Sequence, residues 1–144
     1  MIKLEIRHAN DPAEQSFANF NQPSPFSRSG PGIKGAIKPE FVAYGGNYAV
    51  DTRTDNIIQS LLGEVSFNKD FAQGRLLTED VGTSYSAPSI AHIAARVLGV
   101  YPDASTNQIR SLLAAHSTTP PEVLSLFNQD KSKTILTTGY GMID

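Results

Sequence analysis

The segment from Ser84 to Val100 constrains the fold most, because apolar side chains cover most of the surface of the helix it predicts. These side chains are Tyr85, Ala87, Ile90, Ala91, Ile93, Ala94, Val97 and Leu98. A helix that is apolar nearly all round is stable in water only where other elements cover it. Gly99 and Pro102 follow, and both residue types favour the end of a helix. We therefore expect a central, buried helix within an α/β domain.

A candidate nucleophile lies at the start of this helix. Residues 82–88 have the sequence G-T-S-Y-S-A-P and lead directly into the apolar pattern. The first N–H groups of a helix have no intrahelical acceptor, and the helix dipole makes that end positive. A serine placed there has backbone donors beside it for a developing oxyanion. Ser84 is therefore the candidate catalytic residue.

Composition narrows the class of protein. The chain has 144 residues, 40% of them hydrophobic, which suffices for one compact domain. The formal net charge of −2 gives no reason to expect a nucleic-acid or anionic-membrane partner. No apolar run approaches the ~20 residues of a membrane span. The absence of cysteine excludes disulfides and thiolate metal sites, and it fits a cytosolic protein or a secreted bacterial one equally well.

The part of the chain before Ser84 predicts strands and polar loops. Residues 1–7 alternate apolar and charged side chains, as a strand does, whereas residues 10–32 are rich in Pro, Ser, Asn and Gly and predict a loop. Residues 41–44 predict a short buried strand that ends at two glycines, and residues 51–56 predict a polar loop. A further strand is predicted over residues 74–77.

The part after the apolar helix predicts two more helices and a closing strand. Ser105 and Gln108 have the spacing of a capping box at the start of the first. Thr119 is the predicted cap of the second, with Pro120 or Pro121 in its first turn. Residues 134–137 are apolar and β-branched and predict a strand.

Five segments in sequence order resemble segments of the subtilisin-like serine peptidases. One of them, residues 102–113, resembles the helix that comes after the nucleophile motif in that family. Residues 26–31 (F-S-R-S-G-P) resemble that family's F-S-x-x-G-P, and residues 37–45 (I-K-P-E-F-V-A-Y-G) resemble I-K-P-D-[VL]-x-A-P-G with tyrosine in place of the second proline. Residues 82–88 resemble the nucleophile motif G-T-S-x-[AS]-x-P, and residues 139–141 resemble the closing G-x-G. The segment between the second and third motifs is longer than in the family. The resemblance implies that residues 1–144 form a single partial catalytic domain, the C-terminal portion of a parallel-sheet fold.

The resemblance also implies roles at the active site. Ser84 would attack a peptide carbonyl and form an acyl-enzyme, with its own backbone N–H as one oxyanion donor. Gly82, Thr83 and Tyr85 would line the substrate site, Tyr85 standing where the family often has methionine. The substrate would be a polypeptide. No cofactor is implied, and three isolated histidines give no metal cluster.

The other catalytic residues of the family have no counterpart in this chain. The family order is Asp, then His, then Ser. His8 is the only histidine upstream of Ser84, and it lacks the H-G-T context. His92 lies eight residues along the same helix, roughly 12 Å away by helical rise. Asp51 and Asn47 lie downstream of the positions where the family places its catalytic aspartate and its oxyanion asparagine.

Three functions remain open from the sequence. The chain is a fragment of a serine endopeptidase that is inactive alone, a non-catalytic module that binds peptides or proteins, or a half-domain that a separate chain completes. An unrelated α/β hydrolase is disfavoured, because G-x-S-x-G is absent around Ser84. The expected partners are the substrate and the missing N-terminal part of the domain. A lone copy should also self-associate through its apolar helix.

Overall fold

The computed structural model describes residues 12–58 and 62–143 of the chain. The predicted strand over residues 1–7 therefore lies outside the described residues. The chain divides into two compact units. The first comprises Met1–Asn19, Ser24–Phe26 and Tyr44–Tyr85, and the second comprises Phe20–Pro23, Ser27–Ala43 and Ser86–Asp144.

The first unit contains two small antiparallel sheets. Its strands are β1 (Glu14–Ser16), β2 (Ala49–Asp51), β3 (Asn56–Ile58), β4 (Glu64–Phe67) and β5 (Leu77–Asp80). The strand order is β1-β2-β3 in one sheet and β4-β5 in the other. Both hairpins fall in the segment that is longer than in the family pattern. Ala49 and Leu62 are buried here, and Ala49 has no exposed surface.

The predicted loop over residues 51–56 is a β-hairpin turn. Asp51 and Asn56 pair across strands β2 and β3 instead of lying in a loop. The Asp51 carboxylate stabilises the turn, because it accepts hydrogen bonds from the backbone N–H of Arg53 at 2.9 Å and from its guanidinium at 3.0 Å. The strand predicted over residues 74–77 begins only at Leu77.

The second unit is mainly helical. It contains most of α1 (Thr83–Val100), α2 (Thr106–Ala115), α3 (Pro121–Leu126) and α4 (Lys131–Thr138), with the short strands β6 (Ser117–Thr118) and β7 (Met142–Ile143) paired antiparallel. Its buried apolar side chains are Ile109, Leu113 and Val123. Among the described residues, no helix is long and apolar enough to cross a membrane.

Of the two predicted helix caps, one is present and one is not, and a segment predicted as a strand is a third helix. The capping box at Ser105 and Gln108 is present, with both reciprocal hydrogen bonds formed. Helix α3 is preceded by Pro120, whereas Thr119 was the predicted cap. The strand predicted over residues 134–137 is wrong, because these residues lie in helix α4. Asp130 caps that helix by accepting hydrogen bonds from the N–H groups of Ser132 and Lys133.

Two of the quoted motifs meet in the second unit. The N–H of Tyr140 donates to the carbonyl of Glu40 at 2.8 Å, and the N–H of Val42 donates to the carbonyl of Gly141 at 3.0 Å. A Cβ on Gly139 would overlap the carbonyl oxygens of Pro39 and Glu40, so only glycine fits there. Val42 forms an isolated parallel bridge with Met142. The buried strand predicted over residues 41–44 is reduced to this bridge.

Helix α1 has the predicted extent but not the predicted burial. Its 18 residues include none that is buried. One side is half-buried, at Ser86, Ile90, Ile93, Ala94 and Val97, whereas Ala87, Ala91, Ala95 and Leu98 are exposed. Every ladder between the described strands is antiparallel. The mixed α and β content agrees with an α/β class, but residues 12–58 and 62–143 form neither a parallel sheet nor a buried central helix.

Candidate active site

Ser84 is placed by the junction between strand β5 and helix α1. It is the second residue of the helix and is exposed. Its backbone N–H is among the first four of the helix, which have no acceptor one turn earlier. Gly82 has a φ of +153°, a conformation that side chains disfavour, and a Cβ there would stand 3.8 Å from the nitrogen of Ser84. Glycine at position 82 therefore leaves open the space beside the Ser84 amide.

The glycine pair at positions 45 and 46 lies against the loop that precedes Ser84. The N–H of Gly82 donates to the carbonyl of Gly45 at 2.7 Å. Gly46 has a φ of +82°, and a Cβ there would stand 2.8 Å from Cγ1 of Val81. The hydroxyl of Ser24 donates to the carbonyl of Gly46 at 2.6 Å. The first unit thus brings the end of the second motif against the start of the nucleophile motif.

Tyr85, next to Ser84, bonds a carboxylate at the end of strand β5. Its hydroxyl donates to Oδ2 of Asp80 at 2.8 Å, while Oδ1 of Asp80 accepts the N–H of Val81 at 2.8 Å. The Tyr85 hydroxyl lowers the pKa of Asp80 below its ordinary value, with help from the Val81 N–H. The same carboxylate raises the pKa of Tyr85. The sequence analysis did not identify Asp80 as a functional residue. The signal that could have found it is an acidic residue just before the G-T-S motif and five residues before a tyrosine.

Pro88 modifies the helix around Ser84. It is the sixth residue of α1, one turn further into the helix than the first-turn position at which proline costs least. Because proline has no N–H, the carbonyl of Ser84 lacks its usual partner four residues later. The backbone groups of Ser84 are thus less engaged by the helix than those of a residue in its middle.

No histidine is hydrogen-bonded to Ser84 in the part of the chain that the structure describes. The hydroxyl of Ser84 has no hydrogen-bond partner there. His92 is exposed on α1, two turns further along, and His116 ends helix α2. His8 lies outside the described residues. Residues 12–58 and 62–143 also contain no group of three or more His, Asp or Glu that could hold a metal ion.

The two upstream polar residues that superficially resemble catalytic ones are engaged elsewhere. Asn47 joins its own segment to residue 18, because its side-chain amide donates to the carbonyl of Ala18 at 2.7 Å and its Oδ1 accepts the N–H of Tyr48 at 2.9 Å. Asp51 is bonded to Arg53, whose hydrogen bonds hold the pKa of that carboxyl below its ordinary value. Asn47 therefore stabilises the contact between two segments, whereas Asp51 stabilises the turn that follows it.

Comparison with known proteins identifies the family. A sequence model of the Subtilase family, Peptidase_S8, matches residues 9–142. A protein of Sinorhizobium fredii (strain NBRC 101917 / NGR234), described as "Uncharacterized protein y4bN", is 32% identical over 148 residues, which cover 98% of this chain and 34% of the relative. The chain thus spans about a third of that relative's length. No solved structure matches the chain significantly. The family match covers nearly the whole sequence, and the chain belongs to the subtilase family of peptidases.

Proposed function

We propose that the chain is the nucleophile-bearing, C-terminal part of a subtilisin-like serine endopeptidase domain, with Ser84 as the nucleophile. The observation that carries the proposal is the placement of Ser84. It is exposed at the second position of an 18-residue helix, and Gly82 keeps the space beside its N–H open. Membership of a peptidase family makes a peptide carbonyl the natural electrophile.

The chemistry assigned to Ser84 is acyl transfer. Its Oγ attacks the carbonyl carbon of the substrate as a general base takes the hydroxyl proton, and the carbonyl oxygen becomes an oxyanion. The N–H of Ser84 donates to this oxyanion at the positive end of α1. The C–N bond then breaks, and the amine leaves with the proton that the base returns. Water hydrolyses the acyl-enzyme by the same route and restores Ser84.

The chain alone should not catalyse this reaction. A serine without a general base is a weak nucleophile, and no histidine within residues 12–58 and 62–143 is hydrogen-bonded to Ser84. The family's aspartate, histidine and oxyanion asparagine would come from a further segment of the same protein or from a separate chain. The length of the Sinorhizobium relative, of which this chain covers 34%, is consistent with such a segment.

The exposed side of helix α1 is the surface on which that segment would pack. Ala87, Ala91, Ala95 and Leu98 form an apolar side that the described residues leave exposed. Small side chains allow a neighbouring backbone to approach closely, and a helix that is apolar nearly all round is typical of a domain interior. A single partial catalytic domain of 144 residues therefore accounts for the exposure of a helix that the sequence predicts to be buried. The same surface would support self-association when the segment is missing.

The substrate assigned to the completed domain is a polypeptide. Gly82, Thr83 and Tyr85 flank Ser84 and would line the part of the cleft that this chain contributes. Thr83 is exposed and Tyr85 is half-exposed, so both lie at the surface where a substrate would bind. The reaction needs no cofactor.

Covalent labelling with a fluorophosphonate probe tests the proposal. The 144-residue chain is compared with a version extended upstream by a segment that carries the family's Asp, His and Asn motifs. Each is prepared with Ser84→Ala and, as a matched control, with Ser89→Ala, which removes another exposed serine of the same helix. We expect labelling of the extended chain and of its Ser89→Ala variant only.

The other outcomes separate the alternatives. Labelling of the isolated chain that depends on Ser84 would mean that it contains its own base, and it would contradict the proposed inactivity. The absence of labelling in both versions would favour a non-catalytic module that binds peptides or proteins through the same surface.

A further inference from the structure

We propose that Asp80 is a positioning residue for the nucleophile and that it acts through the hydroxyl of Tyr85. This inference rests on the proposed role of Ser84. It changes the role assigned to Tyr85, from a residue that lines the substrate site to one that fixes the turn presenting the serine.

The Asp80 carboxylate holds both ends of that turn. Oδ1 accepts the N–H of Val81 on one side of Ser84, and Oδ2 accepts the hydroxyl of Tyr85 on the other, each at 2.8 Å. Charge-assisted hydrogen bonds of this kind are stronger than those between neutral groups. One side chain therefore brackets the four residues from Val81 to Ser84.

Asp80 is positioned by the hairpin formed by strands β4 and β5. Strand β5 pairs with β4 so that Asp80 lies opposite Glu64 and Thr78 lies opposite Ser66. Since side chains alternate along a strand, these four residues share one face of the hairpin, while Val65, Phe67, Leu77 and Glu79 lie on the other face. The register of the hairpin thus sets the position of the Asp80 side chain relative to the turn.

Two backbone hydrogen bonds complete the arrangement. The N–H of Gly82 is bonded to the carbonyl of Gly45 at 2.7 Å, and the N–H of Tyr85 is bonded to the carbonyl of Gly82 at 3.0 Å. The residues on both sides of Ser84 are therefore held. Its own hydroxyl has no partner within residues 12–58 and 62–143 and stays available for reaction.

The hydroxyl of Tyr85 cannot serve Asp80 and a substrate acceptor at once. A phenol has a single proton to donate, and this one is donated to Asp80. The effect of the pair on its two pKa values, lower for Asp80 and higher for Tyr85, favours the state in which the carboxylate is ionised and the phenol is protonated. That state forms the hydrogen bond throughout the neutral pH range.

The test measures the rate of covalent labelling of Ser84 by a fluorophosphonate in the extended version described above. Tyr85→Phe and Asp80→Ala should each slow labelling about tenfold, since a misplaced reacting group costs rate even when binding is intact. The double variant should be no slower than Asp80→Ala. Asp80→Asn keeps one acceptor oxygen and should restore part of the rate. Tyr101→Phe, at an exposed tyrosine of the turn after α1, is the matched control and should leave it unchanged.

A second measurement separates positioning from loss of structure. The ring of Tyr85 is titrated by carbon NMR in the 144-residue chain, and the pKa of its hydroxyl should fall in the Asp80→Ala variant. Urea unfolding of the same variant should show that it remains folded. If the extended wild-type protein labels at Ser84 and both single variants label at the same rate, the inference is wrong and the proposed function stands. If the extended wild-type protein does not label, the proposed function fails and the inference fails with it.

Discussion

The N–H of Gly82 donates a 2.7 Å hydrogen bond to the carbonyl of Gly45, which joins two motifs that lie far apart in the sequence. Gly82 also has a φ of +153°, and a Cβ there would stand 3.8 Å from the nitrogen of Ser84. A residue with a side chain would adopt this φ only at a cost. The glycine before the nucleophile is therefore needed for the conformation of the loop.

Gly82→Ala should lower both stability and reactivity. The backbone conformation should cost about 1–3 kcal/mol of unfolding free energy in a residue that has a side chain. The added methyl group would lie beside the Ser84 amide and should slow fluorophosphonate labelling of the extended version. Urea unfolding of the 144-residue chain and labelling of the extended version measure the two effects.

Gly99→Ala is the matched control for this substitution. Gly99 lies inside helix α1, and a Cβ there would meet no atom within 4 Å. Alanine should stabilise the chain by about 0.5–1 kcal/mol, because glycine is unfavourable within a helix. Equal effects of the two substitutions would show that the Gly82 conformation is not required.

The sequence predicts helices best where one local signal suffices. The extent of α1 follows from its apolar pattern, and the start of α2 follows from the Ser105 and Gln108 capping box, which depends only on residues three apart. The placement of Ser84 at the helix start could be predicted for the same reason. The bond between Asp80 and Tyr85 could not, because it depends on a hairpin register that no periodicity specifies.

Helix α4 shows why a local signal can mislead. Its residues Thr134 and Thr138 are β-branched and favour strands, yet both are buried in a helix. Each threonine hydroxyl donates to the carbonyl four residues earlier, so neither buried hydroxyl is left unpaired. The Asp130 cap starts the helix. Burial and capping together override the strand preference of these side chains.

Gly139→Ala should destabilise the second unit strongly. Gly139 has a φ of +61°, and a Cβ there would overlap the carbonyl oxygens of Pro39 and Glu40. The backbone cannot shift easily, because the next N–H, that of Tyr140, is bonded to Glu40. We expect a loss of about 3 kcal/mol or more in urea unfolding, from conformation and crowding together. Gly35→Ala has a similar φ of +78° but no neighbour within 4 Å and should cost only about 1 kcal/mol. A similar cost at both positions would argue against the crowding.

The contribution of the Asp80 and Tyr85 pair to stability should depend on pH in a defined window. The pKa of Asp80 is lowered from 3.8, so its contribution is present above that value and is lost as pH falls through the folded-state pKa. The pKa of Tyr85 is raised from 10.0, so its contribution is present below pH 10 and is lost as pH rises further. Glu64 lies opposite Asp80 in the hairpin and is the carboxylate nearest to it by register.

The difference in unfolding free energy between the wild-type chain and Tyr85→Phe measures this window. It should be constant between about pH 5 and pH 9 and should shrink on both sides. Asp80 is exposed and Tyr85 is half-exposed, so the difference should be small and should decrease further in high salt. A difference that grows above pH 10 would contradict the hydrogen bond.

The exposed apolar side of helix α1 should make the isolated chain self-associate. This self-association should stop once the missing segment covers that side. Ala91→Glu places a charge in the middle of that side without affecting the half-buried side at Ile90 and Ile93. It should lower the apparent molecular mass of the concentrated chain in light scattering, because a buried unpaired charge disfavours the contact.

In the extended version the same charge would face the packed segment, so Ser84 labelling should fall. Ser89→Glu, a charge on another exposed part of the same helix, should change neither measurement. A monodisperse wild-type monomer, together with full labelling of extended Ala91→Glu, would show that this side of the helix has no packing role.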